Sequence, residues 1–347
     1  MAQNDFFQND LDKIFRVFVA EEKHLDSTDR ENLFKRIKSG LENIEYSRKR
    51  KRIAFTIISS AAAILLAFVF FNYRTGDEEF NYESVCHYLP DESGNVRLCR
   101  HDEIIEVTSS PSIIYEADSF VVNGSNYPIT DRNEIHQIIV PYGQTADLTL
   151  ADGTSIKINS GSKVIFKAGM TGRKREIFVS GESFLDVSHN PARPFTVKTD
   201  RIDVSVLGTK FDVKAYSYED TRSVVLVEGS VLLNGDLLDK SYKLTPEQKF
   251  SYNSLNCEVG IEQVDVSDYT CWMDGLMKFS HACLKDVLIQ LYRYYNVSIS
   301  FDPSLKDITI SGKLDIKEGL ESILQSVTLT SGTSYIKKDG TYFIMKK

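Results

Sequence analysis

The feature that most constrains this chain is the run Ile53 to Tyr73, 21 residues without a charge, entered through five consecutive basic residues. At about 1.5 Å of helical rise per residue it reaches about 30 Å, the thickness of a bilayer's hydrocarbon core. A secretion signal would lie nearer residue 1, carry a shorter apolar core and end on small residues. This run ends on Phe68, Val69, Phe70, Phe71, Asn72 and Tyr73, an aromatic interfacial edge. A buried globular helix of this length would show a polar stripe, whereas Thr56, Ser59 and Ser60 are the only polar interruptions before Asn72. The run is therefore read as a single transmembrane helix, residues 53–73. Arg48, Lys49, Arg50, Lys51 and Arg52 fix its topology, because basic flanks stay in the cytoplasm. Residues 1–52 are expected inside and everything after the span outside, in the periplasm of an inner-membrane protein.

Charge follows the same division. Net charge is −8 over the 347 residues, with the basic excess confined to the juxtamembrane cluster, so a direct nucleic-acid binder is not expected. In the cytoplasmic segment, Leu11, Ile14, Phe15 and Phe18 fall at helical spacing, and Leu33, Ile37, Leu41 and Ile44 repeat it. Thr28 and Glu31 fit a capping box for the second helix. A chain shorter than about 40–60 residues buries too little surface to fold securely alone. The two apolar faces must meet each other, the bilayer or another protein. Phe7, Phe15 and Phe18 favour a protein groove, where aromatic anchors dominate.

Outside the membrane, residues 74–110 read as a linker containing "CHYLPDESGNVRLCRH". Cys86, His87, Cys99 and His101 are zinc-type ligands on paper. A disulfide between Cys86 and Cys99, closing a hairpin tip near Pro90 to Asn95, is favoured because thiols oxidise in that compartment. Residues 111–265 alternate with period two around Asn123-Gly124, Asp152-Gly153 and Asn234-Gly235, an all-β domain of stacked short strands or a sandwich. Residues 266–347 read as an α+β domain of two helices on a sheet, with apolar stripes Leu284, Val287, Leu288, Leu291, Tyr295 and Ile316, Leu320, Ile323, Leu324, Val327. Asp315 with Glu318 resembles a capping pair, and Asp339-Gly340 marks a final hairpin.

Chemistry is sparse. The sequence holds no HExxH, GxSxG, CxxC or glycine-rich phosphate loop. Glu176 and Glu182 flank a turn-like Ser180-Gly181 and read as an exposed acidic edge. Ser160, Ser162 and Lys163 read as solvated turn residues. No enzyme activity and no cofactor are expected.

Several spaced motifs carry a family resemblance. "VPYGQTADLTLADGTSIKINSGSKVIF" (140–166), "REIFVSGESFLDV" (175–187), "PFTVKT" (194–199), "VLGTKFDVKAY" (206–216), "VLVEGSV" (225–231) and "LTPEQ" (244–248) resemble the FecR family of membrane-anchored sigma-factor regulators. From "WMDGLMKF" (272–279) to the end, the chain is similar to the C-terminal domain of Bacteroidetes members, itself similar to the short N-terminal domain of secretins and TonB-dependent transducers. The resemblance implies an anti-sigma factor. Its cytoplasmic helices would bind an extracytoplasmic-function sigma factor, and its periplasmic part would receive the signalling domain of an outer-membrane TonB-dependent transducer. Relay through the single span would then involve an intramembrane protease. Candidate docking edges are "NVSISF" and "TYFIMKK", carrying Val297, Ile299, Phe301, Tyr342 and Ile344. The competing expectation is a membrane-anchored periplasmic glycan-binding or envelope-assembly protein with no sigma partner.

Overall fold

The computed structural model describes residues 94–101, 103–108 and 111–347. The expected sigma-binding helices, the basic cluster, the span Ile53–Tyr73 and Cys86 all lie outside the described residues. Among the described residues no helix is long and apolar enough to cross a membrane.

Period-two alternation produces two long sheets that share one strand. The first runs β2 (Glu103–Val107), β1 (Val96–Arg100), β6 (Ile135–Val140), β9 (Ser162–Lys167), β10 (Arg175–Asp186), β11 (Phe195–Lys198), β12 (Asp203–Val206), β15 (Val231–Asn234), β16 (Tyr242–Leu244). The second runs β5 (Ser125–Pro128), β4 (Ser119–Val122), β3 (Ser112–Tyr115), β7 (Ala146–Thr149), β8 (Ser155–Ile158), β10 again, β13 (Lys210–Ala215), β14 (Thr221–Glu228), β17 (Gln248–Asn253), β18 (Val259–Gln263). Pairing is antiparallel except for β10 with β11 and β3 with β7. Inward residues of both sheets, among them Leu98, Phe120, Phe166, Phe195, Phe211 and Phe250, form one continuous core.

Three expectations are corrected. Residues 96–107 are not linker: β1 and β2 complete the first sheet, and Val96, Leu98, Ile105 and Val107 are buried in the core, so the β lobe starts at Val96 rather than 111. Ser180-Gly181 is not a turn. Its two halves belong to different sheets, and the strand bends between them at Gly181, whose φ is +109°. A Cβ there would sit 2.6 Å from the Ser162 Cα, so no side chain fits. Asn234-Gly235 does not make a tight hairpin, since β15 meets β16 across the longer loop 235–241. Asn123-Gly124, by contrast, closes β4 to β5 in two residues with φ of +52° and +74°, the left-handed geometry a two-residue hairpin requires.

The C-terminal lobe divides its strands between two sheets rather than one. β19 (Leu276–Cys283) pairs with β21 (Thr309–Asp315), while β20 (Ile299–Phe301), β23 (Thr341–Lys346) and β22 (Thr333–Lys338) form a three-stranded sheet in that order. Helices α1 (Leu284–Tyr295) and α2 (Leu320–Ser331) each pack against both sheets. Leu284, Val287, Leu288 and Leu291 of α1 meet Ile323, Leu324 and Val327 of α2 in a second core. Asp315 caps the short 3-10 turn Ile316–Glu318 by accepting the Lys317 amide at 3.0 Å, and α2 begins only after Gly319.

Candidate functional site: the junction between the two lobes

Helix α1 has two working faces. One turn is 3.6 residues, so Asp286, Ile289, Gln290 and Arg293 form a stripe turned away from the leucine stripe. That second stripe faces the β lobe, and Arg293 is its deepest member, 3% exposed. Its guanidinium carbon lies 3.8 Å from the centre of the Tyr216 ring. It donates to the Tyr218 hydroxyl at 3.0 Å and pairs with the Glu219 carboxylate. Lys214 supports the same carboxylate at 3.0 Å. Tyr216 is itself fixed, donating its hydroxyl to the Ser160 carbonyl at 2.8 Å.

The backbone joins in. The Arg293 carbonyl, one of the last four that a helix cannot satisfy internally, accepts the Gly143 amide at 2.8 Å. Beside it the rings of Tyr142 and Tyr292 lie 5.1 Å apart. Burial opposes ionisation of Glu219, yet Lys214 and Arg293 outweigh it and hold the carboxyl below its ordinary range. Arg293 shows the same balance: burial disfavours its charge, and the Tyr216 and Glu219 surroundings more than restore it. This clasp is a satisfied buried charge, the arrangement in which removing one partner is costly.

A second contact ties the lobes. Trp272, the chain's one tryptophan, donates its indole N–H to Asp212 of β13 at 3.2 Å. Asp212 is 3% exposed, and burial together with the neighbouring Glu182 pushes its carboxyl well above the usual range. Glu182 is half-buried and accepts the Asn159 amide at 2.7 Å, so it is no exposed acidic edge. The cleft lined by Trp272 and Arg293 has a volume of about 550 Å³, with Glu182, Tyr218, Gln290 and Tyr294 also on its walls.

The sequence-predicted docking residues separate in space. Ile299 and Phe301 lie on β20, which pairs only with β23 among the described residues, and Val297 immediately precedes it. Tyr342 and Ile344 lie on β23, which is the centre of its sheet and not an edge. Both are buried in the lobe's core, at 4% and 1% exposure, so that strand offers no free ladder. Cys99 is buried on β1 and has no disulfide partner among the described residues. Those residues also hold no cluster of three or more His, Cys, Asp or Glu arranged to hold a metal. The junction residues escaped sequence reading, although an arginine opposite a leucine stripe and a solitary tryptophan were both visible signals.

A shared-strand β lobe followed by a two-helix α+β lobe, clasped through one buried arginine, defines the class of chain. Residues 136–232 match the family described as FecR protein, and residues 276–344 match FecR, C-terminal. No curated protein matches the chain. Two crystal structures of a candidate anti-sigma factor from Parabacteroides distasonis ATCC 8503, at 2.50 and 1.65 Å, are 29% identical to it. Each is covered over 99% of its length by 61% of this chain, with TM-scores of 0.59 and 0.58. The chain belongs to the FecR family.

Proposed function

We propose that this FecR-family chain is a single-pass anti-sigma factor of the inner membrane. Residues 1–52 hold an extracytoplasmic-function sigma factor in the cytoplasm, Ile53–Tyr73 cross the bilayer, and the two lobes lie in the periplasm. There they receive the signalling domain of an outer-membrane TonB-dependent transducer. The reading rests chiefly on the ordered match of both lobes to the two halves of one family. The similarity to the Parabacteroides candidate anti-sigma factor supports it.

Docking by strand addition fits the β20 edge better than the β22 edge. β20 and its lead-in, Val297 to Phe301, are uncharged, whereas β22 carries Lys337 and Lys338, the residues that discourage edge pairing. A lone span is a poor rod for a conformational signal, so regulated cleavage near Ser59 and Ser60 is the simpler relay. The testing experiment deletes residues 1–46 while keeping the basic cluster. Transcription of the sigma-dependent operon should lose its response to inducer; an unchanged response refutes the reading.

A further inference from the structure

We propose that the cleft between the lobes is a binding site for an uncharged, polyhydroxylated ligand, a short neutral saccharide. Its floor is the outward face of β13, β14 and β17, and its roof is the second stripe of α1 with β19. At about 550 Å³ it falls within the range of about 300–1,000 Å³ typical of small-molecule sites, which favour such interfaces.

The lining carries two kinds of group. Trp272 and Tyr294 are half-buried and Tyr218 is 52% exposed, so amphipathic rings present apolar surface with polar rims. On the same walls, Asp220, Asp286, the Gln290 amide and the Asn253 Nδ2 have no side-chain partner among the described residues. The two carboxylates and the Gln290 amide are planar and two-headed, which suits a pair of adjacent hydroxyls. Asn253, whose Oδ1 accepts the Leu255 amide at 2.9 Å, adds a single donor.

Charge decides the ligand class. Acidic and basic residues on the walls balance, five against five. Lys214 and Arg293 are held by Glu219, Lys249 by Glu262 and Lys278 by Asp268. On these walls an anion would find only Lys285 without a partner and would meet the unpartnered carboxylates of Asp220 and Asp286. A peptide is disfavoured as well, because the helical turns Ser267–Asp274 pack along β19 and cover the edge it would need. A saccharide seated here touches both lobes and so favours the closed junction.

The test applies the full-length chain, in detergent, to a glycan array spanning neutral and anionic oligosaccharides. Neutral glycans should bind, and each hit should change Trp272 fluorescence saturably. The Asn253→Ala, Gln290→Ala double variant should bind at least 10-fold more weakly while keeping its unfolding midpoint. Retention only of anionic glycans, no retention at all, or hits unaffected by the double variant would each overturn the proposal. Sigma-factor capture is read separately, so failure here leaves the regulatory reading standing.

Discussion

Replacing Arg293 with methionine keeps the length of the side chain on α1 but removes the charge from the junction. Breaking a fully buried ion pair by deleting one partner costs about 3–5 kcal/mol. Glu219 is 17% exposed and keeps Lys214 at 3.0 Å, so the low end applies, about 3 kcal/mol. The two cores are separate clusters, so the loss falls on the contact between lobes and not on either interior. The Gly143 amide reports it directly, since its hydrogen bond to the Arg293 carbonyl exists only while the lobes are clasped. At about 1.4 kcal/mol per factor of ten, its hydrogen exchange should speed up about 150-fold in R293M. Amides of β9 and β10, deep in the β lobe, should keep wild-type protection. R293K, which keeps the charge but loses the planar stack on Tyr216, should fall between. If Gly143 exchanges within a factor of three of wild type in R293M, the clasp does not hold the lobes together. Equal acceleration throughout β9 and β10 would refute the separation of junction from core.

Other outcomes follow from groups held away from their ordinary protonation. The Asp212 carboxyl is raised by burial and by Glu182, so its contribution is full below about pH 3.9 and declines as pH rises toward the folded-state value. Asp212→Asn keeps an acceptor for Trp272 and should raise the melting temperature at pH 7, with no gain at pH 3.5; a lower melting temperature at pH 7 would contradict this. His136 is fully buried against Tyr115, Phe120 and Phe166, and burial lowers its affinity for protons despite Glu134. Stability should therefore be full above about pH 6.5 and fall as pH drops below it, and His136→Gln should flatten that slope in melting curves from pH 7.5 to 5.5. Gly181→Ala combines a strained positive φ with a clash against Ser162 and should cost about 3 kcal/mol or more in denaturant titration. A loss under about 1 kcal/mol would show that the shared strand tolerates a side chain at its bend.

The parts of this fold that were legible are those written locally. Asn123-Gly124 and Asp339-Gly340 announce two-residue hairpins because left-handed pairs are rare elsewhere, and both hairpins are present. The leucine stripe of α1 likewise needs only its own spacing. What was misread depends on partners far along the chain. Gly181 looks like a turn, yet β9 and β8 on one side, β11 and β13 on the other, keep the strand running through it. β23 reads as an edge until β20, more than forty residues earlier, fills its second side. The clasp brings Arg293 to Tyr218 and Glu219, 75 and 74 residues away, and no local pattern encodes that meeting.

One affinity capture tests most directly the proposal that residues 1–52 hold a sigma factor. Full-length chain purified from its native cell before induction should bring down a sigma factor identified by mass spectrometry. The Leu11→Asp, Phe15→Asp variant, expressed at the same level, should not. Capture by both proteins would remove the proposed helical face, and capture by neither would contradict the anti-sigma account itself.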